Sequence, residues 1–293
     1  MTATSPASTS SGRWVTAVSL SGWASVPELA SDRVMLTLYD GQFFDAAAPI
    51  LTADMCDRVF LRTALRVNRT KLMFWDENIE QMAKILCDFG ADIPPFLLRD
   101  GAELKRQIRR ALIRNRLYRS TMVVIRLLHD DDRRICYMLH MTAFDTEEYA
   151  WHENGLYVEP DFNIRHLPCP LLPDRLPRKL YIDNADNISN VSSCNVYIIV
   201  GEEVIMLAPS CGAIADPANQ TVVEAIAAAG MTPVEVSELP LASLTTADEM
   251  FLAGHLYGIQ WVKSFAGRHY LNRQTRRIAT AFNSAVINKG TEM

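Results

Sequence analysis

An irregular, proline-rich segment between Asp145 and Arg178 divides this sequence into two halves, and each half mixes strand-like runs with helix-like runs. Proline lacks a backbone donor and disfavours helix at the residue before it, so such a segment is typical of a crossover between domains. The chain has 293 residues, of which 49% are apolar, and this is enough for two ordinary domains. We therefore predict a two-domain α/β or α+β chain, with a small domain at 33–145 and a larger one at 146–293.

Residues 1–32 are expected to be an N-terminal extension that is partly disordered. Their first dozen residues are mostly serine, threonine and alanine. Such a composition buries too little apolar surface to offset the entropy of ordering the chain.

Hydrophobic periodicity predicts the elements of each half. Apolar residues three and four apart predict a helix that begins at a capping Asp76, and a second such stripe predicts a helix around Ile108. A final helix is predicted near Arg273 to Val286. The predicted strands are Val34–Leu38, Ala64–Val67, Leu72–Trp75, Met122–Leu128, Ile135–Thr142, Lys179–Ile182, Asn195–Val200, Val204–Leu207, Pro233–Val236 and Glu249–Leu252.

Composition argues against several classes of protein. The net charge is -5, so the basic face of the helix around Ile108 is interpreted as a solvated face and no nucleic-acid partner is expected. No apolar run is long enough for a membrane span and no secretory signal is visible, so we expect a cytoplasmic protein without a membrane partner. The cysteines lack ligand spacing and Asp130-Asp131-Asp132 fits a turn, so no metal site is predicted.

Short strings in both halves resemble the class IV aminotransferases, the family of branched-chain and D-amino acid aminotransferases. In the first half these strings are Tyr39-Asp40-Gly41, Ile50-Leu51-Thr52-Ala53-Asp54 and Asp76-Glu77-Asn78-Ile79-Glu80-Gln81-Met82. In the second half they are Ser192-Ser193-Cys194-Asn195-Val196-Tyr197 and Ala247-Asp248-Glu249-Met250-Phe251-Leu252. The resemblance runs from about Tyr39 to Phe282 and implies fold type IV, a homodimer, and a cleft between the domains that holds pyridoxal phosphate.

Pyridoxal phosphate chemistry needs a lysine, a carboxylate at the ring nitrogen and donors around the phosphate. The family's lysine position falls near Leu171 or Leu172. Lys179 is the nearby lysine, and it is either a catalytic Schiff-base residue or an ordinary strand-end lysine. The resemblance places Asn190 at the carboxylate position, where it cannot supply the negative charge that keeps the ring nitrogen protonated.

The phosphate positions also differ from the family pattern. Gln81 replaces an arginine, and His255 replaces a threonine. The helix start that meets the phosphate reads Pro217-Ala218-Asn219, in which proline lacks an amide hydrogen. Asp216, just before it, is expected to cap the helix with its own carboxylate. These replacements lead us to expect no bound cofactor.

The leading hypothesis is a homodimeric enzyme of amino-acid-derived or specialised small-molecule metabolism that reuses the cleft without pyridoxal phosphate. His255 is its candidate acid or base, although a structural histidine is an equal interpretation. The candidate residues that bind the substrate are Arg66, Gln81, Asn190, Ser192 and Asn219. Two alternatives remain: a pyridoxal phosphate-dependent aminotransferase or lyase with unusual cofactor contacts, and a catalytically inactive homologue that acts as a binding or partner subunit.

Overall fold

The structure is a computed structural model, and it describes residues 35–45, 58–143, 149, 151, 153–161, 178–183, 185–191 and 194–293. The N-terminal extension predicted for residues 1–32 lies outside the described residues, as does most of the proline-rich crossover. The domain limits predicted from the sequence stay a prediction.

The first sheet is antiparallel and is built from the first half of the chain. Its strands are β1 (Leu36–Tyr39), β2 (Gln42–Asp45), β3 (Val59–Asn68), β4 (Lys71–Met73), β5 (Thr121–His129) and β6 (Ile135–Ala143), in the order β4-β3-β5-β6-β1-β2. Helices α1 (Trp75–Asp88) and α2 (Leu98–Asn115) cover one face. Because side chains of a strand alternate between faces, Leu65 and Val123 join the core under these helices, whereas Ala64 and Val124 point to the opposite side.

The second sheet comes from the second half of the chain and is mixed. Its strands are β7 (Leu156–Asp161), β8 (Arg178–Ile182), β9 (Ile188–Val191), β10 (Asn195–Val200), β11 (Glu203–Leu207), β12 (Thr232–Val236), β13 (Glu249–Gly254), β14 (Gly258–Phe265) and β15 (Arg268–His269). Their order is β12-β11-β10-β13-β14-β7-β8-β9, and β15 pairs with β14. Helices α3 (Asn219–Ala228) and α5 (Arg273–Val286) pack on one face, and the short α4 (Ser243–Thr246) precedes β13.

The two sheets share a core, and a strand that follows the second sheet in sequence pairs at the edge of the first. Ala64, Met122 and Val124 of the first sheet belong to the same buried cluster as Val196 and Leu252 of the second. The last described residues form β16 (Gly290–Glu292), which pairs antiparallel with β4 and extends the first sheet to seven strands. The mixed α+β architecture predicted from the sequence is confirmed.

Most predicted elements are present, although β2, β7, β9, β14, β15 and β16 were not predicted and the start of the first helix is misplaced. The first helix has Phe74 at its N-cap, in the left-handed conformation and without a side-chain cap, so Asp76 lies in the first turn and the predicted cap is wrong. Strand β14 was not predicted because seven of its eight residues are buried, which removes the alternation of a half-exposed strand, and Gln260, Lys263 and Ser264 interrupt the apolar run that indicates a buried one. Asp130 forms the predicted turn by accepting the amide hydrogens of Asp132 and Arg134.

Candidate functional site

His255 and Asp216 form a buried ionic pair where α3 approaches the first sheet. The Nδ1 atom of His255 lies 2.8 Å from Oδ2 of Asp216, and its Nε2 atom lies 2.7 Å from the carbonyl oxygen of Ala64 in β3. A carboxylate and a carbonyl oxygen can only accept, so both ring nitrogens must carry hydrogen. The geometry therefore describes an imidazolium held between the two sheets.

The charge of His255 is supported by its surroundings. Burial alone lowers the pKa of His255, but the charge and hydrogen bond of Asp216, together with the carbonyl of Ala64, offset this and raise the pKa above its usual value. Oδ1 of Asp216 also accepts the backbone amides of His255 and Ala218, at 2.9 and 2.8 Å. The predicted cap is wrong, because the N-cap of α3 is Ala218 without a side-chain cap, and the Asp216 carboxylate bonds the amide of that N-cap residue instead.

Arg66 lies beside this pair, on the same face of β3 as Ala64. Its side chain is 2% exposed and donates from Nη1 to the carbonyl oxygen of Leu256 at 2.9 Å. Its guanidinium lies 4.6 Å from the ring centroid of Tyr149, whose hydroxyl donates to the carbonyl of His255 at 2.7 Å. The carbonyl oxygens of His255 and Leu256, which follow β13, thus accept hydrogen bonds from Tyr149 and Arg66.

Gln81 and Asn219 hold the loop that leads into α3. Nε2 of Gln81, on α1, donates to the carbonyl of Ala215 at 2.5 Å. Asn219 donates to the carbonyl of Ile214 at 3.1 Å and accepts from Nδ2 of Asn195 at 3.0 Å. Asn195 also accepts the amide hydrogen of Ile214 at 2.7 Å. The side-chain amides of Asn195 and Asn219 thus fix Ile214, and that of Gln81 connects the loop to α1.

The structure therefore brings together Arg66, Gln81, Asn219 and His255, all singled out in the sequence. It adds Tyr149 and Asn195, which sequence reasoning did not select as site residues. Asn195 did carry a signal in the sequence, because it is an amide at the start of a run of apolar strand residues. The structure shows that it is buried, and buried amides need hydrogen-bond partners. The partner of His255 on β3 is the backbone carbonyl of Ala64, and a pattern of side chains cannot reveal such a partner.

Asn190 stands apart from this group. It lies in β9, where its side chain donates to Oγ of Ser189 at 2.9 Å. Its Oδ1 atom is buried and has no hydrogen-bond partner among the described residues. Lys179 lies in β8, opposite Glu159 of β7, and the position of its side chain lies outside the described part of the structure. Ser192 also lies outside the described residues.

Two arginines and a histidine occur on the inner face of the first sheet. Arg62 and Arg126 are direct cross-strand partners, and His140 lies opposite Val124 on the neighbouring strand. Burial lowers the pKa of His140, and the charges of Arg126 and Arg62 lower it further. Arg62, Arg126 and His140 come from three strands that are distant in sequence, so no local pattern indicates that they lie together.

Groups of three or more His, Cys, Asp or Glu side chains placed to hold a metal ion are not found in the described residues. None of the described helices is long and apolar enough to cross a membrane.

Comparisons with known proteins give matches only at the level of structure. No protein-family model and no curated protein matches this sequence. The branched-chain aminotransferase of Thermoproteus uzoniensis with norvaline matches with a TM-score of 0.71 at 14% identity, over 88% of this chain and 96% of that chain. The Escherichia coli branched-chain aminotransferase matches with a TM-score of 0.67 at 12% identity, over 85% and 93%. The T.th. branched-chain aminotransferase with pyridoxamine 5'-phosphate matches with a TM-score of 0.70 at 13% identity, over 89% and 99%.

These structures correct the expectation that no cofactor is bound. The T.th. branched-chain aminotransferase was solved with pyridoxamine 5'-phosphate and also complexed with N-(5'-phosphopyridoxyl)-L-glutamate. Individual side-chain replacements were a poor guide here, because a fold can keep a ligand cleft while the contacts that line it change. The element order, the two sheets and the near-complete coverage agree, and this chain therefore has the class IV aminotransferase fold of the branched-chain aminotransferases.

Proposed function

We propose that this chain is an enzyme of small-molecule metabolism, an aminotransferase or lyase, that uses pyridoxal phosphate through contacts unlike the family pattern. The observation that carries the proposal is the extent of the structural match. It covers 89% of this chain and 99% of a branched-chain aminotransferase that was solved with pyridoxamine 5'-phosphate. When bound, pyridoxal phosphate supplies an electron sink for carbanion chemistry.

The ring end of the cofactor has a suitable partner in Asn190. Its buried Oδ1 atom lacks a hydrogen-bond partner among the described residues, and a buried acceptor of this kind costs free energy until a donor is supplied. A protonated ring nitrogen is such a donor. Because the amide is uncharged, we expect it to hold that proton less firmly than a carboxylate would.

The phosphate end finds no free backbone donor in the two residues just before α3. The amide of Ala218 is already paired with Asp216, and Pro217 has no amide hydrogen to offer. The Asp216 carboxylate would repel a phosphate dianion at this point. Pro217 and Ala218 are therefore not expected to contact the phosphate.

Lys179 and His255 receive different roles in the proposal. Lys179 is the candidate nucleophile, since it lies in the second sheet on the strand next to β9, which carries Asn190. His255 is assigned a positioning role, because both of its ring nitrogens already donate to fixed acceptors and neither is available as a base. This revises its assignment as a candidate acid or base.

Absorbance spectroscopy tests the proposal. Wild-type protein titrated with pyridoxal phosphate should develop a band in the visible region, and Lys179→Ala should remove it. Lys84→Ala, which changes an exposed lysine on α1, is the matched control and should keep the band. Asn190→Asp should tighten binding by about tenfold, because a charge-assisted hydrogen bond replaces a neutral one. A wild-type protein that stays colourless at saturation would refute the proposal and favour the binding-subunit alternative.

We also propose that the chain forms a homodimer in the cytoplasm, as the resemblance implies. Sedimentation equilibrium at micromolar concentration should give twice the mass of 32.9 kDa. A monomer mass that persists as the concentration rises would contradict this.

A further inference from the structure

A cavity of about 870 Å³ lies at one end of the first sheet, outside the candidate site described above. Its walls come from the β1–β2 turn, the connection between α1 and α2, the side of α2 and the β5–β6 hairpin. Ligand pockets commonly have volumes of about 300–1,000 Å³. One wall is apolar and is formed by Pro94, Phe96, Ile135 and Tyr137.

Tyr137 at the cavity has a hydroxyl without a partner. The residue is 4% exposed, and its ring packs edge-on against Phe96 with the centroids 4.8 Å apart. Its hydroxyl makes no hydrogen bond among the described residues, although buried tyrosine hydroxyls usually have one. Gly41 leaves space beside it, since a Cβ atom there would lie 3.9 Å from this oxygen. The hydroxyl is thus placed to bond a molecule in the cavity.

Most charged side chains around the cavity are in ion pairs, and two are not. Arg134 pairs with Asp40 and Asp130, and Glu103 pairs with Arg106. Asp92 and Arg133 line the same cavity and have no ion-pair partner among the described residues.

Charges of both signs act on the Tyr137 hydroxyl, because the carboxylates of Asp40 and Glu103 raise its pKa and Arg110 and Arg106 oppose them. Burial first, and then the carboxylates of Asp40 and Glu103, raise the pKa of Tyr137 to about 12, so it stays protonated at neutral pH. A simple anion would therefore meet repulsion from these carboxylates unless it also carried a cationic group.

We propose that this cavity binds a free α-amino acid with an apolar side chain as a zwitterion. The ammonium group is matched to Asp92, the carboxylate to Arg133, and the Tyr137 hydroxyl bonds a polar atom of the ligand. The apolar side chain lies against Phe96, Pro94 and Ile135. A singly charged ligand would leave one of the two charged groups unmatched. The site does not depend on the proposed function of the cleft.

Isothermal titration calorimetry with L-leucine and L-phenylalanine tests the proposal on the full chain. Isocaproate lacks the ammonium group and isoamylamine lacks the carboxylate. Each should bind about tenfold or more weakly than leucine, since a charged hydrogen bond is lost. Absence of heat with both amino acids up to tens of millimolar, or equal affinity for isocaproate, would overturn the proposal.

Variants identify the site. Tyr137→Phe should weaken leucine binding about two- to tenfold and Arg133→Gln about tenfold or more. Tyr118→Phe and Arg109→Gln, which change exposed side chains elsewhere, should leave it unchanged. Without ligand, Tyr137→Phe should unfold at the same temperature as wild type or higher, because no hydrogen bond within the protein is lost. A lowered unfolding temperature would point to a structural role instead and count against the proposal.

Lys179→Ala separates this cavity from the cleft. Leucine binding should be unchanged in Lys179→Ala, whether or not the cleft uses pyridoxal phosphate. Binding that disappears in Lys179→Ala and survives in Tyr137→Phe and Arg133→Gln would place the amino acid in the cleft and refute the cavity site.

Discussion

Asp216 is the residue on which the polar contacts of the candidate site converge. Its carboxylate bonds the ring and amide of His255 and the amide of Ala218. Asp216→Asn removes the charge that compensates a buried imidazolium, and we expect it to lower the free energy of unfolding by about 3 kcal/mol. Urea denaturation measures this. Asp88→Asn, at an exposed ion pair on α1, should change stability by less than about 0.5 kcal/mol.

The pH dependence of stability should carry the signature of His255. Its pKa is raised in the folded protein, so the stabilisation is fully present below the unfolded-state pKa and is lost as the pH rises through the folded value. His140 has a lowered pKa, so its contribution to stability changes with pH in the opposite direction. His255→Gln is therefore compared with wild type at each pH, so that the contribution of His140 cancels. The stability lost in His255→Gln should be larger at pH about 6 than at pH about 9. An equal loss at both pH values would contradict the charged pair.

At this scale the sequence identified residues better than it identified their partners. His255, Gln81 and Asn219 were singled out, and the structure places all of them around the start of α3. Their bonds run to backbone carbonyls, to asparagine amides or to the Asp216 carboxylate, whose positions depend on tertiary packing. The Asp216 carboxylate was therefore expected just before α3, whereas its ionic pair with His255 between the sheets was not predicted.

Among the elements, α5 depends on a residue of a neighbouring strand. Glu249 in β13 is 3% exposed, and it accepts the amides of Gln274 and Thr275 and the hydroxyl of Thr275, at 2.7–2.8 Å. These amides belong to the first turn, where a helix has no internal acceptors and favours negative charge.

Glu249→Gln keeps the size of this side chain and removes its charge. We expect the free energy of unfolding to fall by about 1–3 kcal/mol. Hydrogen exchange should also show faster exchange at Gln274 and Thr275. Glu224→Gln, at an exposed position of α3, is the control and should leave both quantities unchanged. Unaltered exchange in Glu249→Gln would show that α5 does not rely on this carboxylate.

Elements with a regular apolar pattern were predictable, including the buried strands β5 and β13. The spacing of Ile79, Met82 and Leu86 correctly indicated α1, and the last helix was predicted with the bounds that the structure shows. Strand β14 was missed because Gln260, Lys263 and Ser264 break both the apolar run and the alternation that indicate a strand. The start of α1 was misplaced because its N-cap, Phe74, relies on backbone conformation rather than on a capping side chain.

For the whole molecule, the shared core predicts a single unfolding transition. Side chains of both sheets form one buried cluster, and ionic and amide bonds join α1 and β3 to the loop before α3. Separating the sheets would expose these groups together, so neither sheet should unfold alone. Tryptophan fluorescence and far-ultraviolet circular dichroism should give coincident urea curves. Curves with different midpoints would show that the halves are independent.

The pairing of β16 with β4 means that the order of synthesis and the order of completion differ. The first sheet begins to emerge from the ribosome early, yet its edge strand is made only after every strand of the second sheet. Until then the backbone groups of β4 that bond Gly290–Glu292 lack these partners. A nascent chain halted before Gly290 would therefore leave β4 without this neighbour, although β4 is synthesised before the whole second sheet.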